Sequence, residues 1–484
     1  MKIHIDTKAS LGQYADPTSW QNSTLRYSPP ESFPPYLAHE IGRAKIMRVW
    51  ITLDEYWDYR TGTVYPDYDI GVARYDVSEL HYPYDWKNIV PAPSGTRFKG
   101  YLTSHAENAD ELLLNVRRYE REVSDGIISY EQYEEIFERA VEYCKELAPN
   151  LRYIECCNEI DIRSFGFLSP EEYVKIYLCA YRAIKRLNEK HAYSLPLEIG
   201  GYAAAHPLLD KERLTEIMHL LSESEIGECP MDFYSYHHYD TPTTKGLLMR
   251  GEFDTADLGG VGKLRELMAL HNSLLKRFSL PKKPVFLNEL GKARTTGIDG
   301  DALYNAAGLI TYLIAFGSEG LEDMYPFPWC TFHNPELQIS YTQFLLNDDG
   351  SYSATPNGMA IKMLHSLCGD RLKCTVSESN ARDSEFQAVA VKDGDNISLI
   401  CTNPTGETIP AFIEIHGVKD MTYHIIGHAC SPTQNNCVTS ASCDGKALNV
   451  TGEADRISKG GIIKHTCILD PNAFILYRIE PVIE

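Results

Sequence analysis

From about residue 40 to residue 370 the chain alternates short apolar runs with longer helical patterns, at steps of roughly forty residues. That cadence leaves few folds open, because strands that alternate with helices build a parallel sheet with helices packed against it. The strand candidates are AKIMRVWI (44–51), LRYIECC (151–157), LPLEIGG (195–201), MDFYSYHHY (231–239), KPVFLNE (283–289) and EDMYPFPW (322–329). Two of the intervening helices announce their starts. Ser129 has Gln132 three residues on, and Ser169 is followed by Pro170 and two glutamates. A doubly wound sheet would carry a glycine-rich phosphate loop after its first strand, and none is present. The expected fold class is therefore α/β, a (β/α)8 barrel. Residues 52–128, rich in Tyr, Asp and Pro, read as long loops with a third strand near YLTSHAEN (101–108).

After about Arg371 the pattern changes to alternating apolar and polar residues broken by turn signals DGDN, NPTG and DPNA. The division is then 1–370 for the barrel and 371–484 for a β-sandwich, with N-terminal residues available to add a strand to the sandwich. No flexible linker separates them, so the two parts are expected to pack together.

The net charge of −21, from 46 basic and 67 acidic side chains, repels phosphate backbones and anionic membranes. Nucleic acid and membrane are excluded as expected partners, and no run of eighteen apolar residues is present. The amino terminus lacks an apolar stretch of signal-peptide length, and thirteen cysteines show no paired metal-ligand spacing. Reduced thiols and a cytoplasmic location are the expectation, with a removed signal peptide as the alternative and disulfides among Cys430, Cys437 and Cys443 left open. Oligomeric state is also open, a homo-oligomer included.

Two strand-like runs end the same way. RYIECCNEI (152–160) closes on Asn158 and Glu159, and KPVFLNELGK (283–292) carries Asn288 and Glu289. The glutamates are 130 residues apart, the span of three βα units of about 43 residues, which places them on the fourth and seventh barrel strands. Active sites of such barrels lie at the carboxyl ends of the strands. Two carboxyl groups facing each other there suit glycoside hydrolysis, which needs one acid at the leaving oxygen and one nucleophile or base at the anomeric carbon. Taken singly, a glutamate at a strand end is more often a helix cap or a solvated side chain.

Taken in order, these motifs resemble clan A glycoside hydrolases, and most of all glycoside hydrolase family 39. The matching stretches are CCNEI, LEIGGYAA (197–204), DFYSYHHYD (232–240), PVFLNELG (284–291), YPFPW (325–329) and GSYSATPNGMAIKML (350–364). The resemblance implies a retaining, exo-acting glycosidase with Glu159 as general acid/base and Glu289 as nucleophile. Asn158 would bond the sugar's 2-hydroxyl, and no cofactor or metal would be needed. A β-xylosidase leads, with α-L-iduronidase-like and arabinosidase-like enzymes as alternatives. A non-catalytic carbohydrate-binding protein on the same scaffold is the alternative class. Where the family has Trp-Asn-Glu-Pro, this chain has Cys157 and Ile160 around the pair, so the pocket wall beside the acid differs.

Four further residues complete the expected site. In clan A, an arginine at the position of Arg48 lies near the nucleophile, and an arginine inside a barrel strand needs a carboxylate partner. Strand alternation puts His237 and Tyr239 on one face and His238 on the other, which favours the first two for contacts to substrate or nucleophile. Trp329 offers an aromatic platform for a sugar face. Cys156 and Cys157 read as packing residues, and no metal-ligand pattern such as His-X-X-X-His surrounds His237 and His238.

Overall fold

Eight parallel strands form the first sheet: Trp20–Asn22, Ala44–Thr52, Ala109–Arg117, Leu151–Cys156, Glu198–Ala204, Phe233–Thr241, Val285–Ala293 and Met324–Pro326. This computed structural model describes all residues except 24–30, 69–70, 74–88, 92–96, 163–165, 225, 227–228, 242–259, 294–301, 334–341, 378–385, 440–442 and 484. Each strand pairs with the next in chain order. The ring closes where Asn22 bridges Trp329: the Asn22 amide donates to the Pro328 carbonyl at 3.0 Å, and the Cys330 amide to the Asn22 carbonyl at 2.8 Å. The result is a (β/α)8 barrel.

Inside the barrel the side chains stack in layers, because every second residue of a strand points inward. The lower layer is apolar and holds Ile46, Leu113, Tyr153, Phe233 and Phe286. Two residues further along those strands stand Arg48, Asn115, Glu155, Ser235 and Asn288, all fully buried and all polar. The mouth of the barrel therefore rests on a polar floor. Gly200 lets the fifth and sixth strands approach closely, since a Cβ there would lie 2.2 Å from the Phe233 carbonyl oxygen.

The helices Tyr130–Leu147 and Pro170–His191 start on complete capping boxes, Ser129 with Gln132 and Ser169 with Glu172. The expected strand at 101–108 is instead the helix Phe98–Glu107, and the third barrel strand follows it at Ala109–Arg117. Phe98, Tyr101, Leu102 and His105 are buried at helical spacing, so packing against the barrel overrides the β preference of Tyr and Thr.

The second sheet has nine strands and curls around its own apolar core, which includes Ile3, Ile5, Leu399, Ile413, Ile425, Ile463 and Ile479. Its strand Lys2–Gln13 comes from the amino terminus, antiparallel to Asp370–Ser377 and parallel to Ile409–His416. The sandwich is fastened to the barrel directly. The Arg371 guanidinium donates to the carbonyls of Phe316 and Ile314 at 3.1 Å each, and the Thr311 and Thr402 hydroxyls bond at 2.9 Å. All thirteen cysteines are free thiols, Cys430, Cys437 and Cys443 among them. No helix of the described residues is long and apolar enough to cross a membrane.

Beyond the second and third strands, Asp54, Glu55, Glu120 and Glu122 are buried around Arg117 and Arg118. Burial pushes Glu55 up to about 8 and Glu122 to about 7, against the partial relief those arginines give. Each carboxyl binds its proton more tightly folded than unfolded, so the stability it contributes is full in acid and lost as pH rises through the folded value. Buried His105, His238 and His271, held neutral by burial, act in the opposite sense, because their unfolded imidazoles are still half protonated at about pH 6.5 and lose that charge by about pH 8. Unfolding free energy should therefore fall by roughly 1.5 kcal/mol between pH 6.5 and 8. Urea titrations at the two pH values check this, and Glu55→Gln should flatten most of the difference.

Candidate active site

Glu159 lies in the turn after the fourth strand, with φ of 51°, next to Cys157 at 70° and across from Ala203 at 50°. Left-handed backbone is uncommon for residues with a Cβ and persists where the surroundings enforce it. They do so through two hydrogen bonds, Cys157 N–H to the Val116 carbonyl and Glu159 N–H to the Ala203 carbonyl, both at 2.9 Å. The turn is thus pinned to the third and fifth strands.

Glu289 reaches the same space by a different device. Along the sixth and seventh strands the register passes from Leu287 opposite Tyr236 to Glu289 opposite His237, so Asn288 is an extra residue, a bulge. A bulge re-aims side chains, and both Asn288 and Glu289 make contacts inside the barrel. The Arg48 Nη1 donates to Glu289 Oε1 at 3.2 Å, and the Tyr239 hydroxyl donates to Glu289 Oε2 at 3.0 Å. Both oxygens of Glu289 are held.

His237 stands between the two glutamates, its Nδ1 2.8 Å from Glu159 Oε1 and 3.7 Å from Glu289 Oε2. One oxygen of each glutamate and the His237 nitrogen all lie within 4.8 Å of one another. Asn158 Oδ1 accepts from Arg48 Nη2 at 3.0 Å. The Trp329 Nε1–H donates to the Tyr239 oxygen at 3.0 Å, so the indole orients the phenol that holds Glu289. Its ring is 3% exposed. His238 faces away and meets Tyr312 edge-on at 5.4 Å.

All seven residues singled out by the sequence, Arg48, Asn158, Glu159, His237, Tyr239, Glu289 and Trp329, thus form one connected set. Three that sequence reading passed over, Asn115, Glu155 and Ser235, complete it, with Asn288, which the sequence noted only as the partner of Glu289. Glu155 was concealed by its apolar neighbours in RYIECC, although its spacing of two from Tyr153 puts it on the inward face.

Glu159, His237 and Glu289 also form the one cluster among the described residues whose donor atoms gather as a metal's ligands do. Hydrogen bonds from Arg48 and Tyr239 already occupy both oxygens of Glu289, and a cation there would sit against the Arg48 charge. The donor set, two carboxylates beside an imidazole, suits proton transfer better than a metal. The long loops read over 52–128 fall partly on 69–70, 74–88 and 92–96, outside the described residues.

No protein-family profile matches the chain, and no curated protein does. Solved structures do. A family 39 glycoside hydrolase from Xanthomonas axonopodis pv. citri superposes with a TM-score of 0.63 at 14% identity, over 99% of this chain and 97% of the other. A monomeric β-xylosidase from Caulobacter crescentus CB15 gives 0.61 at 14% identity, over 100% of both chains. A glucosidase from Croceicoccus marinus gives 0.64 at 13% identity, over 100% of this chain and 99% of the other. The chain has the fold of these glycoside hydrolases, barrel and sandwich together. Similarity at such identity speaks to the fold alone, so the chemistry has to be argued from the side chains.

Proposed function

We propose that the chain is a retaining glycoside hydrolase, releasing a terminal sugar from a glycoside or oligosaccharide by double displacement. The observation that carries this is the approach of Glu159 and Glu289 to within 4.8 Å at the carboxyl ends of the barrel strands. Retaining enzymes set their two carboxyls about 5–5.5 Å apart, whereas inverting ones leave roughly 6.5–9.5 Å for a water.

In the first step a Glu289 oxygen bonds to the anomeric carbon while the bond to the leaving oxygen breaks, and the Glu159 proton goes to that oxygen. In the second step Glu159 takes a proton from water, whose oxygen displaces Glu289 and restores the original configuration. Arg48 and Tyr239 orient Glu289 for attack. His237 positions Glu159. Asn158, with its oxygen engaged by Arg48, turns its amide nitrogen to the sugar's 2-hydroxyl.

The similar structures include a β-xylosidase and a glucosidase, which supports a pyranoside, a β-xyloside first. An α-L-iduronidase-like or arabinosidase-like specificity is the alternative. Proton NMR of the first-formed sugar from an aryl glycoside panel tests the mechanism. Retention is the expected outcome, unaffected by a chelator. An inverted first product would refute it, and tight sugar binding without turnover would mark a binding protein.

A further inference from the structure

Glu155 is neither acid nor nucleophile in a two-carboxylate mechanism, yet four side chains from four other strands converge on it. Arg48 donates to its Oε2 from Nε at 2.9 Å and from Nη2 at 2.6 Å, and Asn115 Nδ2 donates to the same oxygen at 2.6 Å. Asn288 Nδ2 donates to Oε1, and the Ser235 hydroxyl also bonds the carboxylate. The group is completely buried. Burial alone would push its carboxyl up, but the Arg48 charge and then the Ser235 hydroxyl hold it below the usual carboxylate range, so it is ionised. Arg48, in turn, has one donor left for Glu289, and its Nη2 is shared with Asn158.

We propose that Glu155 is the counter-ion of the reaction centre, a positioning residue that anchors Arg48 and thereby sets the place and charge of Glu289. This rests on the glycosidase reading above. Before attack, Arg48 faces two carboxylates, Glu155 and Glu289, while Glu159 carries the proton. After attack Glu289 is an uncharged glycosyl ester, the proton has left with the aglycone, and the new negative charge is on Glu159. Arg48 then has Glu155 as its remaining carboxylate, so the cation stays neutralised in both states. Without Glu155, the full charge of a loosened Arg48 would fall on Glu289 and hold it as an anion that attacks poorly.

Glu155→Gln and Glu155→Asp in the full chain test this, on whichever aryl glycoside the unaltered protein turns over. Among the described residues, the charged and titratable groups that face Glu289 include Arg48 from the second strand, His237 and Tyr239 from the sixth, and Glu159 from the turn after the fourth. None is changed. Glu155→Gln should lower kcat/KM at least 100-fold with KM within threefold, and move the acid limb of the kcat/KM profile to lower pH. Glu155→Asp, which keeps the charge but retracts it, should lose at least tenfold and keep the original limb. It carries the test if the glutamine variant does not fold. The Nε–H signal of Arg48, assigned by its loss in Arg48→Lys, should exchange slowly with water in the unaltered protein and fast in Glu155→Gln. An unmoved limb in Glu155→Gln, full activity in Glu155→Asp, or unaltered exchange of that signal would overturn the proposal. In a protein that hydrolysed no glycoside, the glycosidase reading would fall while the exchange measurement still decided whether Glu155 anchors Arg48.

Discussion

Glu289→Ala should lose at least roughly 10,000-fold in kcat on every glycoside, whatever the leaving group, because no covalent intermediate can form without the attacking carboxylate. The fold should survive. Arg48 keeps its two bonds to Glu155, so the buried cation is not left bare when Glu289 is removed. Azide supplied in solution should enter the space vacated by the carboxylate and attack the anomeric carbon from that side. The expected product is a glycosyl azide of inverted configuration, read by proton NMR, and circular dichroism of the variant should match that of the parent. Near-normal turnover by Glu289→Ala would mean that the nucleophile lies elsewhere.

Glu159→Ala should behave differently according to how much help the leaving group needs. A poor leaving group such as methanol or another sugar departs only when protonated, and loss of general acid catalysis there should cost about 100-fold to 10,000-fold. Dinitrophenolate leaves without a proton, so the first step on a dinitrophenyl glycoside should be nearly unaffected. The second step then becomes limiting, because the base that activates water has gone. A burst of dinitrophenolate followed by a slow steady rate is the expected trace, and azide, which needs no base, should speed the slow phase and give a product of retained configuration. Equal losses on methyl and dinitrophenyl glycosides would remove Glu159 from the acid role. His237, whose Nδ1 is 2.8 Å from Glu159 Oε1, would then be the group to examine next.

Apart from Arg48, whose charge inside a strand gave it away, the residues legible in the sequence share a physical property: each is polar or aromatic at the end of an apolar run, where a buried strand gives way to the barrel mouth. Glu159 and Glu289 stand out for that reason, and alternation alone separates His237 and Tyr239 from His238. Glu155 is the opposite case. It lies inside the apolar run, and only the closed barrel shows that its neighbours two residues along in the other strands are Arg48, Asn115 and Ser235. The bulge at Asn288 was equally hidden, since a one-residue slip in register leaves no compositional trace. The helix at Phe98–Glu107 escaped because Tyr and Thr favour strands unless a helical face is already provided by packing. Trp329 was read as a platform from its residue type, and its hydrogen bond to Tyr239 emerged only with the eighth strand in place.

The central claim is that Glu289 forms a covalent bond to the sugar, and trapping that bond is the most direct measurement. A 2-deoxy-2-fluoro glycosyl donor with a good leaving group slows hydrolysis of the ester, so incubation with a panel of xylosyl, glucosyl and arabinosyl donors should give an intact mass increased by one fluorosugar. Peptide mapping should place it on Glu289, and the donor that reacts names the sugar. A label on any other residue, or hydrolysis of the parent aryl glycoside with no adduct from its fluorinated counterpart, would contradict the account.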